Sequence, residues 1–319
     1  MFAHRIGQTL IVDPAFPFAE IEAILAVLGW KQEMTESTSA PLVTDEPEIA
    51  RWTRNGHKPF IIYTYNPVVS MRVLDVATLP PVFRKTIVEK IPVLDDKAIE
   101  NLLFAASSRE RLLGLWCARE TERTDLIAAV SKLKRDPEVV VAGQAEQIAL
   151  RLEHIAESRL QTMAQLQLLV QAAPTLVRRL VDWEFVRQLQ PDIEDCQQLF
   201  DSDIAQRVVK LCADVYRQRP HLHAIAADAE ILACAAPAGL LRWSNELSDK
   251  FPGGYRDIAG WMQPDKLWMT WKVSDPGGST VRYDGLVWVG ERWLWLPKIH
   301  RGLAPLCISG EIYAPSTLH

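Results

Sequence analysis

Apolar positions in the first ninety residues follow the periods of both strands and helices. Apolar side chains at helical spacing predict a helix over residues 17–28 that stops at Gly29. Residues 34–47 lack periodicity and predict a loop. Asn55-Gly56 favours a hairpin, because both residues tolerate positive φ. Strands are predicted over residues 10–12, 48–54, 60–65 and 68–76. We therefore predict a small α+β domain over residues 1–92, a three-stranded antiparallel meander with one helix packed on it.

From about residue 79 to residue 155 the apolar period becomes helical. Ser107-Ser108-Arg109-Glu110 has the pattern of a capping box, in which the first serine and the glutamate satisfy each other's backbone N–H groups. Asp136-Pro137-Glu138 predicts a second helix start, with Asp136 as N-cap and proline at the first helical position. The two starts lie about thirty residues apart, which indicates a repeated pair of helices.

Alignment on these two starts matches apolar positions: Leu103 with Leu133, Leu112 with Ala142, and Leu115 with Ala145. The segment 96–157 resembles a HEAT-type helical repeat in two copies. The usual Asp-x-x-Val-Arg pattern is incomplete, because Val140 follows Val139. The resemblance implies that each helix pair buries its apolar stripe against the next, that flanking helices complete the stack, and that its concave side is an interaction surface.

The last third of the chain predicts an α+β domain with an antiparallel sheet. Helical periodicity continues over residues 158–218, where Pro174 is predicted to interrupt a helix. A helix is also predicted over residues 240–247, and strands over residues 230–234, 267–273, 281–289 and 292–296. We therefore predict a multi-domain α+β protein: a small α+β domain at 1–92, a HEAT-like helical region at 93–190 and a C-terminal α+β domain at 191–319.

Tryptophan is concentrated near the end of the chain. Seven of the eleven tryptophans lie between Trp243 and Trp295. Gly290-Glu291 fits a type II′ hairpin turn, which would pair Trp288 with Trp293. Leu286, Trp288, Trp293 and Trp295 would then share one face, and Val287, Val289 and Leu294 the other. Asp284-Gly285 is either a turn or a bulge within one long strand.

Both faces of this hairpin are apolar, so either both are covered by core or one lines a recognition surface. On the second alternative, the aromatic side chains bind a partner, with a small basic cluster at their rim. The candidate binding residues are Trp268, Trp271, Tyr283, Trp288, Trp293, Trp295, Lys298, His300 and Arg301.

Motifs of catalysis and metal binding are scarce. The sequence has no Gly-rich phosphate loop ending in Lys-Ser/Thr, no Gly-x-Ser-x-Gly elbow and no His-Glu-x-x-His helix. His221 and His223, with Asp228 and Glu230, would form a metal site only in an extended segment. We expect no catalytic residues, no metal and no cofactor.

Composition narrows the class of protein further. The chain has 319 residues, 48% apolar, and no apolar run approaches the ~18–20 residues of a membrane span. The start of the chain lacks a signal-peptide core, and five widely spaced cysteines argue against a disulfide framework. We therefore expect a cytoplasmic protein without a membrane partner. The net charge of −5 is not separated along the chain, which argues against nucleic acid as a partner.

These observations predict a non-catalytic adaptor protein that binds another protein through a helical-repeat surface and the aromatic hairpin. Bacterial immunity proteins that neutralise a toxin have a similar organisation. The alternative is a small-molecule-binding protein or enzyme, with an aromatic pocket in the C-terminal domain ringed by Asp257, Asp265, Asp284 or His300.

Overall fold

The computed structural model describes residues 9–36, 46–54, 59–220 and 224–309. These residues form an α+β fold with two antiparallel sheets, as predicted. The strands are β1 (Thr9–Val12), β2 (Lys31–Glu36), β3 (Ile49–Thr53), β4 (Phe60–Asn66), β5 (Met71–Asp75), β6 (Glu230–Pro237), β7 (Leu267–Ser274), β8 (Thr280–Val289) and β9 (Arg292–Trp295). The α-helices are α1 (Phe18–Val27), α2 (Pro81–Lys90), α3 (Asp96–Leu103), α4 (Ser108–Glu120), α5 (Ile127–Lys132), α6 (Val139–Arg179), α7 (Trp183–Gln188), α8 (Ile193–Leu199), α9 (Ser202–Arg217), α10 (Gly254–Ile258) and α11 (Ile299–Ser309).

Contacts divide the chain into two compact units. The N-terminal unit ends at Leu160 and the C-terminal unit begins at Gln161, within α6. The division into domains at 1–92, 93–190 and 191–319 stays a prediction. Within the described part of the chain, no helix combines the length and apolar character needed to cross a bilayer.

The sheet of the N-terminal unit is larger than predicted. The meander β3–β4–β5 is confirmed, but β1 adds beside β5 and β2 beside β3, giving five strands in the order β1-β5-β4-β3-β2. The predicted three-stranded sheet was therefore too small, because the β1–β5 pairing joins segments about sixty residues apart. Residues 34–36 belong to β2 and not to a loop. Asn55 and Gly56 lie outside the described residues.

Because side chains alternate along each strand, the two faces of this sheet contribute to two separate hydrophobic cores. Leu10 and Val12 on β1 pack with Ile21 and Leu25 of α1 on one face. Ile11, between them, packs on the other face with the helices from α3 to α6. The unit is thus a sheet with a helical layer on each face.

The helical layer after the sheet contains α3 packed against α4, followed in the chain by α5 and α6. The helix start at Ser107 is confirmed, but the capping box is wrong, because the Ser107 side chain makes no capping hydrogen bond. The guanidinium of Arg111 instead donates to the carbonyl oxygens of Ala105 and Ala106 at 2.9 and 2.7 Å. The second predicted helix start is a few residues early, because α6 begins at Val139, and Asp136 lies in the preceding turn, where its Oδ1 accepts from the Glu138 N–H at 3.0 Å.

The C-terminal unit is built on a four-stranded sheet in the order β6-β7-β8-β9. Helices α8 to α11 cover one face, and the end of α6 covers the other together with α7. Pro174 does not interrupt α6, contrary to the prediction. A proline inside a helix costs about 3 kcal/mol, and the complete burial of Ala173 and Val177 on either side of it offsets this cost.

The predicted helix over 240–247 is wrong. Residues Ala238–Arg242 form a 3-10 helix, after which the side chain of Asn245 takes over the backbone hydrogen bonds. Its Oδ1 accepts from the N–H groups of Leu247 and Ser248 at 3.0 Å, and its Nδ2 donates to the carbonyl of Leu240 at 2.7 Å. Asparagine competes in this way with the hydrogen bonds of a continued helix.

Candidate functional site

The tryptophan-rich hairpin has the predicted register. Trp288 pairs with Trp293 and Leu286 with Trp295, and Gly290 has the positive φ, 58°, that the first residue of a type II′ turn needs. The bulge alternative for Asp284-Gly285 is also confirmed. Thr270 pairs with Asp284 while Met269 pairs with Leu286, which leaves Gly285 as the extra residue of β8.

Away from its turn, the hairpin is covered by core on both faces. Val287 and Leu294 belong to the core beneath α8 to α11, together with Trp268. Leu286 and Trp295 belong to the core on the opposite face. Apolar side chains on both faces therefore reflect a sheet with helices on each side, which is the first of the two alternatives drawn from the sequence.

The nine candidate binding residues do not form one surface. Trp268, Trp271 and Trp295 are at most 3% exposed, and Tyr283, half-buried, stacks on Trp271 with ring centroids 5.7 Å apart. Trp288 and Trp293 are half-buried and make an edge-to-face pair at 5.2 Å. In the basic cluster, Lys298 and Arg301 are exposed, but His300 is buried beside the core.

His300 belongs to a buried polar cluster centred on the carboxylate of Asp284. The Tyr255 hydroxyl donates to Asp284 Oδ1 at 3.0 Å, and the backbone N–H of Lys298 donates to the same oxygen at 3.2 Å. His300 Nδ1 lies 3.5 Å from it. The indole N–H of Trp295 donates to the Asp284 carbonyl at 3.0 Å. This cluster fastens α10, α11 and β9 to the bulge of β8.

The structure brings together only part of the acidic ring suggested for an aromatic pocket. Asp284 and His300 are in contact, and burial raises the pKa of Asp257, an effect that Arg256 and His300 oppose. Asp265 instead lies 3.7 Å from the ammonium of Lys266. Because Tyr255 is fully buried and Asp284 and His300 are each at most 7% exposed, the cluster has the character of a structural polar core.

The cysteine and histidine side chains that the structure describes form no further chemical centre. Cys117, Cys196, Cys212 and Cys307 are buried free thiols, and burial raises the pKa of Cys117 and Cys196 to about 12. Within the described ranges no three His, Cys, Asp or Glu side chains are grouped as metal ligands. His221 and His223 lie outside those ranges.

An open cavity in the N-terminal unit forms what we name the helical groove. It has a volume of about 400 Å³ and is predominantly apolar, with Leu113 buried at its base and Asn101 and Glu110 exposed at its rim. Phe104, next in sequence to the lining, is 59% exposed. The groove is lined by Pro14, Leu94, Ala98, Asn101, Leu102, Ala105, Glu110 and Leu113.

A second cavity, which we name the basic groove, lies on the sheet of the C-terminal unit. Its volume is about 450 Å³. Lys272 and Arg282 are cross-strand neighbours on β7 and β8, and Lys250 reaches the same cavity from a 3-10 helix. No motif in the sequence indicates this site, because its cations lie up to thirty-two residues apart and only the β7–β8 register brings two of them side by side.

No protein-family model, curated protein or solved structure significantly matches this chain.

Proposed function

We propose that this protein is a non-catalytic adaptor that binds another protein through the helical groove of its N-terminal unit. The observation that carries the proposal is the groove itself, a concave apolar surface with a polar rim and a largely exposed phenylalanine beside it. Concave apolar surfaces rimmed by polar side chains are typical of protein-binding sites. The proposed partner element is an amphipathic helix, whose apolar anchors would enter between Leu102 and Leu113.

The helical layer supports this proposal by its organisation. Helices α3 and α4 pack against one another, and the Arg111–Asp136 contact joins α4 to the start of α6. A HEAT-like stack, as we propose here, presents a rigid surface on which a partner segment binds. Val139 and Val140 at the start of α6 are 83% and 65% exposed, and such apolar exposure favours a contact surface in the same layer.

The proposed partner is a protein, and neutralisation of a toxin is one role that such an adaptor would serve. We propose that it acts in the cytoplasm, because all five cysteines are free thiols, as in a reducing compartment. The aromatic hairpin is left out of the proposed binding surface, since Trp268, Trp271 and Trp295 serve the core.

A pull-down from the native host tests the proposal with two matched variants. Ala98→Arg places a charged side chain in the groove, and Glu100→Arg places the same side chain about 200° around the same helix. We expect the unmodified protein to capture a stoichiometric protein partner. The Glu100→Arg variant should capture it equally well, and the Ala98→Arg variant should not capture it. Capture of no stoichiometric partner, or equal capture by Ala98→Arg, would overturn the proposal.

A photo-crosslinker at Asn101 tests whether the partner binds at the groove directly. It thereby distinguishes a lost contact from an indirect effect of Ala98→Arg on capture. Asn101 is exposed at the rim, so the probe should crosslink to the partner and not to the core. Crosslinks to a predicted amphipathic helix of the partner are expected. A partner that crosslinks only from a residue remote from the groove would contradict the proposed site.

A further inference from the structure

The basic groove concentrates positive charge that the protein itself does not neutralise. Lys272 and Arg282 lie directly opposite each other on neighbouring strands, and like charges in that position destabilise a sheet. Among the described residues, no acidic side chain forms an ion pair with Lys250, Lys272 or Arg282. The fold therefore retains an unfavourable arrangement that an anion would relieve.

The single acidic residue in the lining is already engaged. Asp249 accepts hydrogen bonds from the guanidinium of Arg256 and from the hydroxyl of Ser244, the latter at 2.8 Å. It therefore joins the segment after the 3-10 helix Ala238–Arg242 to α10 and leaves the ammonium of the neighbouring Lys250 available to the cavity. Cys234 and Lys250 both line the cavity; burial raises the pKa of the Cys234 thiol, and the charge of Lys250 opposes this effect.

The register of the sheet determines which side chains share the cavity. Leu232 pairs with Lys272, which pairs with Arg282, so these three side chains point to the same face of neighbouring strands. Cys234 and Thr270 form the next row on that face. Leu232 is 54% exposed. The cavity thus combines an apolar wall on β6 with a cationic wall on β7 and β8.

We propose that the basic groove binds a small organic phosphate, with the phosphate between Lys250, Lys272 and Arg282 and the apolar part of the ligand against Leu232 and Cys234. Three cations match a phosphate dianion better than a singly charged carboxylate. A volume of about 450 Å³ is that of a small-molecule site. An extended polyanion would need a longer basic track than these three side chains provide.

Isothermal titration of the full chain with phenyl phosphate tests this assignment. Inorganic phosphate, benzoate and phenol serve as comparison probes at the same ionic strength. We expect phenyl phosphate to bind most tightly, since it alone offers both the dianion and the apolar ring. Phenol should not bind. No binding of phenyl phosphate, or equal affinity for inorganic phosphate, would overturn the proposal.

Charge-removing variants locate the site. Lys272→Gln and Arg282→Gln each remove one charged hydrogen-bond donor, so the affinity for phenyl phosphate should fall about tenfold. Arg301→Gln removes an exposed charge from α11 in the same unit, outside the lining, and should leave the affinity unchanged. Both groove variants should melt no lower than the unmodified protein, because the loss of either charge relieves the repulsion.

Two outcomes of these titrations would contradict the small ligand. Equal binding by Arg282→Gln and the unmodified chain would place any bound phosphate elsewhere. A twelve-nucleotide oligothymidylate that binds more tightly than phenyl phosphate, and whose binding is lost in the same variants, would assign the groove to a nucleic acid instead. The same result with a hepta-aspartate peptide would assign it to an acidic protein segment. Neither result bears on the helical groove of the N-terminal unit.

Discussion

Arg111 donates two hydrogen bonds to the carboxylate of Asp136, from Nε to Oδ2 at 2.7 Å and from Nη2 to Oδ1 at 2.9 Å. Because Asp136 also accepts from the N–H of Glu138, one carboxylate joins the start of α4 to the start of α6. The side chain of Asp136 is 4% exposed, so water does not replace these contacts. The pairing stabilises the layer that forms the helical groove.

Asp136→Asn should lower the melting temperature of the protein by a few degrees at pH 7, because the amide cannot accept both guanidinium bonds. The hydrogen bond from Arg111 holds the pKa of Asp136 below its usual value of 3.8. A carboxylate whose pKa is lowered by folding stabilises the fold above about pH 4, and this contribution is lost as the pH falls further. The difference between variant and unmodified protein should therefore shrink at pH 3.

Thermal denaturation at both pH values checks this prediction, with Asp96→Asn as the control. Asp96 pairs with Arg123 at 2.6 Å, but its side chain is 86% exposed, so this substitution should change stability little. If Asp136→Asn lowers the melting temperature equally at pH 3 and pH 7, the charged carboxylate of Asp136 is not the cause of the stabilisation.

Gly285→Ala should destabilise the C-terminal unit by about 3 kcal/mol or more. Gly285 has a φ of 94°, and a Cβ atom there would lie 2.1 Å from the carbonyl oxygen of Leu296. That backbone also carries the hydrogen bond from the Leu296 N–H to the Gly285 carbonyl at 2.8 Å. Urea denaturation followed by tryptophan fluorescence measures the loss. Gly277→Ala, with open space around its Cβ position, should be nearly neutral.

Trp268→Ala and Trp288→Ala should differ in their cost to stability. Trp268 is fully buried and packs edge-to-face on Phe200 and Tyr255, so its removal should cost about 3–5 kcal/mol. Trp288 is half-buried and makes its ring contact with Trp293, so the cost should be clearly smaller. The midpoints of urea denaturation compare the two. The reverse order would contradict the assignment of Trp268 to the core.

Tyr255→Phe should cost about 1–2 kcal/mol at neutral pH, because it removes a hydrogen bond to a buried carboxylate. Burial and the neighbouring Asp284 raise the pKa of Tyr255 well above 10. A tyrosine whose pKa is raised by folding stabilises the fold below its unfolded pKa near 10, and this contribution is lost at higher pH. The variant should thus lose less stability than the unmodified protein between pH 9 and pH 11. Equal alkaline losses in the two proteins would contradict this account.

Local patterns predicted the local elements well. The Gly290-Glu291 turn alone was sufficient to predict that Trp288 pairs with Trp293, because a two-residue turn allows only one register of the two strands. Apolar spacing predicted α1 within one residue at each end. The errors occur where distant contacts outweigh local preference. Pro174 remains inside a helix because Ala173 and Val177 are buried, and His300 leaves the surface because its ring packs against Tyr255 at 5.0 Å.

The sequence by itself determined the α+β class, most strands and the register of the last hairpin, since these depend on alternation and on turn residues close in the chain. Only the tertiary structure decided that the tryptophans belong to two cores and that Lys250, Lys272 and Arg282 surround one cavity. The physical reason is that burial and charge clustering arise between segments far apart in sequence. A strand pattern specifies which side chains share a face, but not what covers that face.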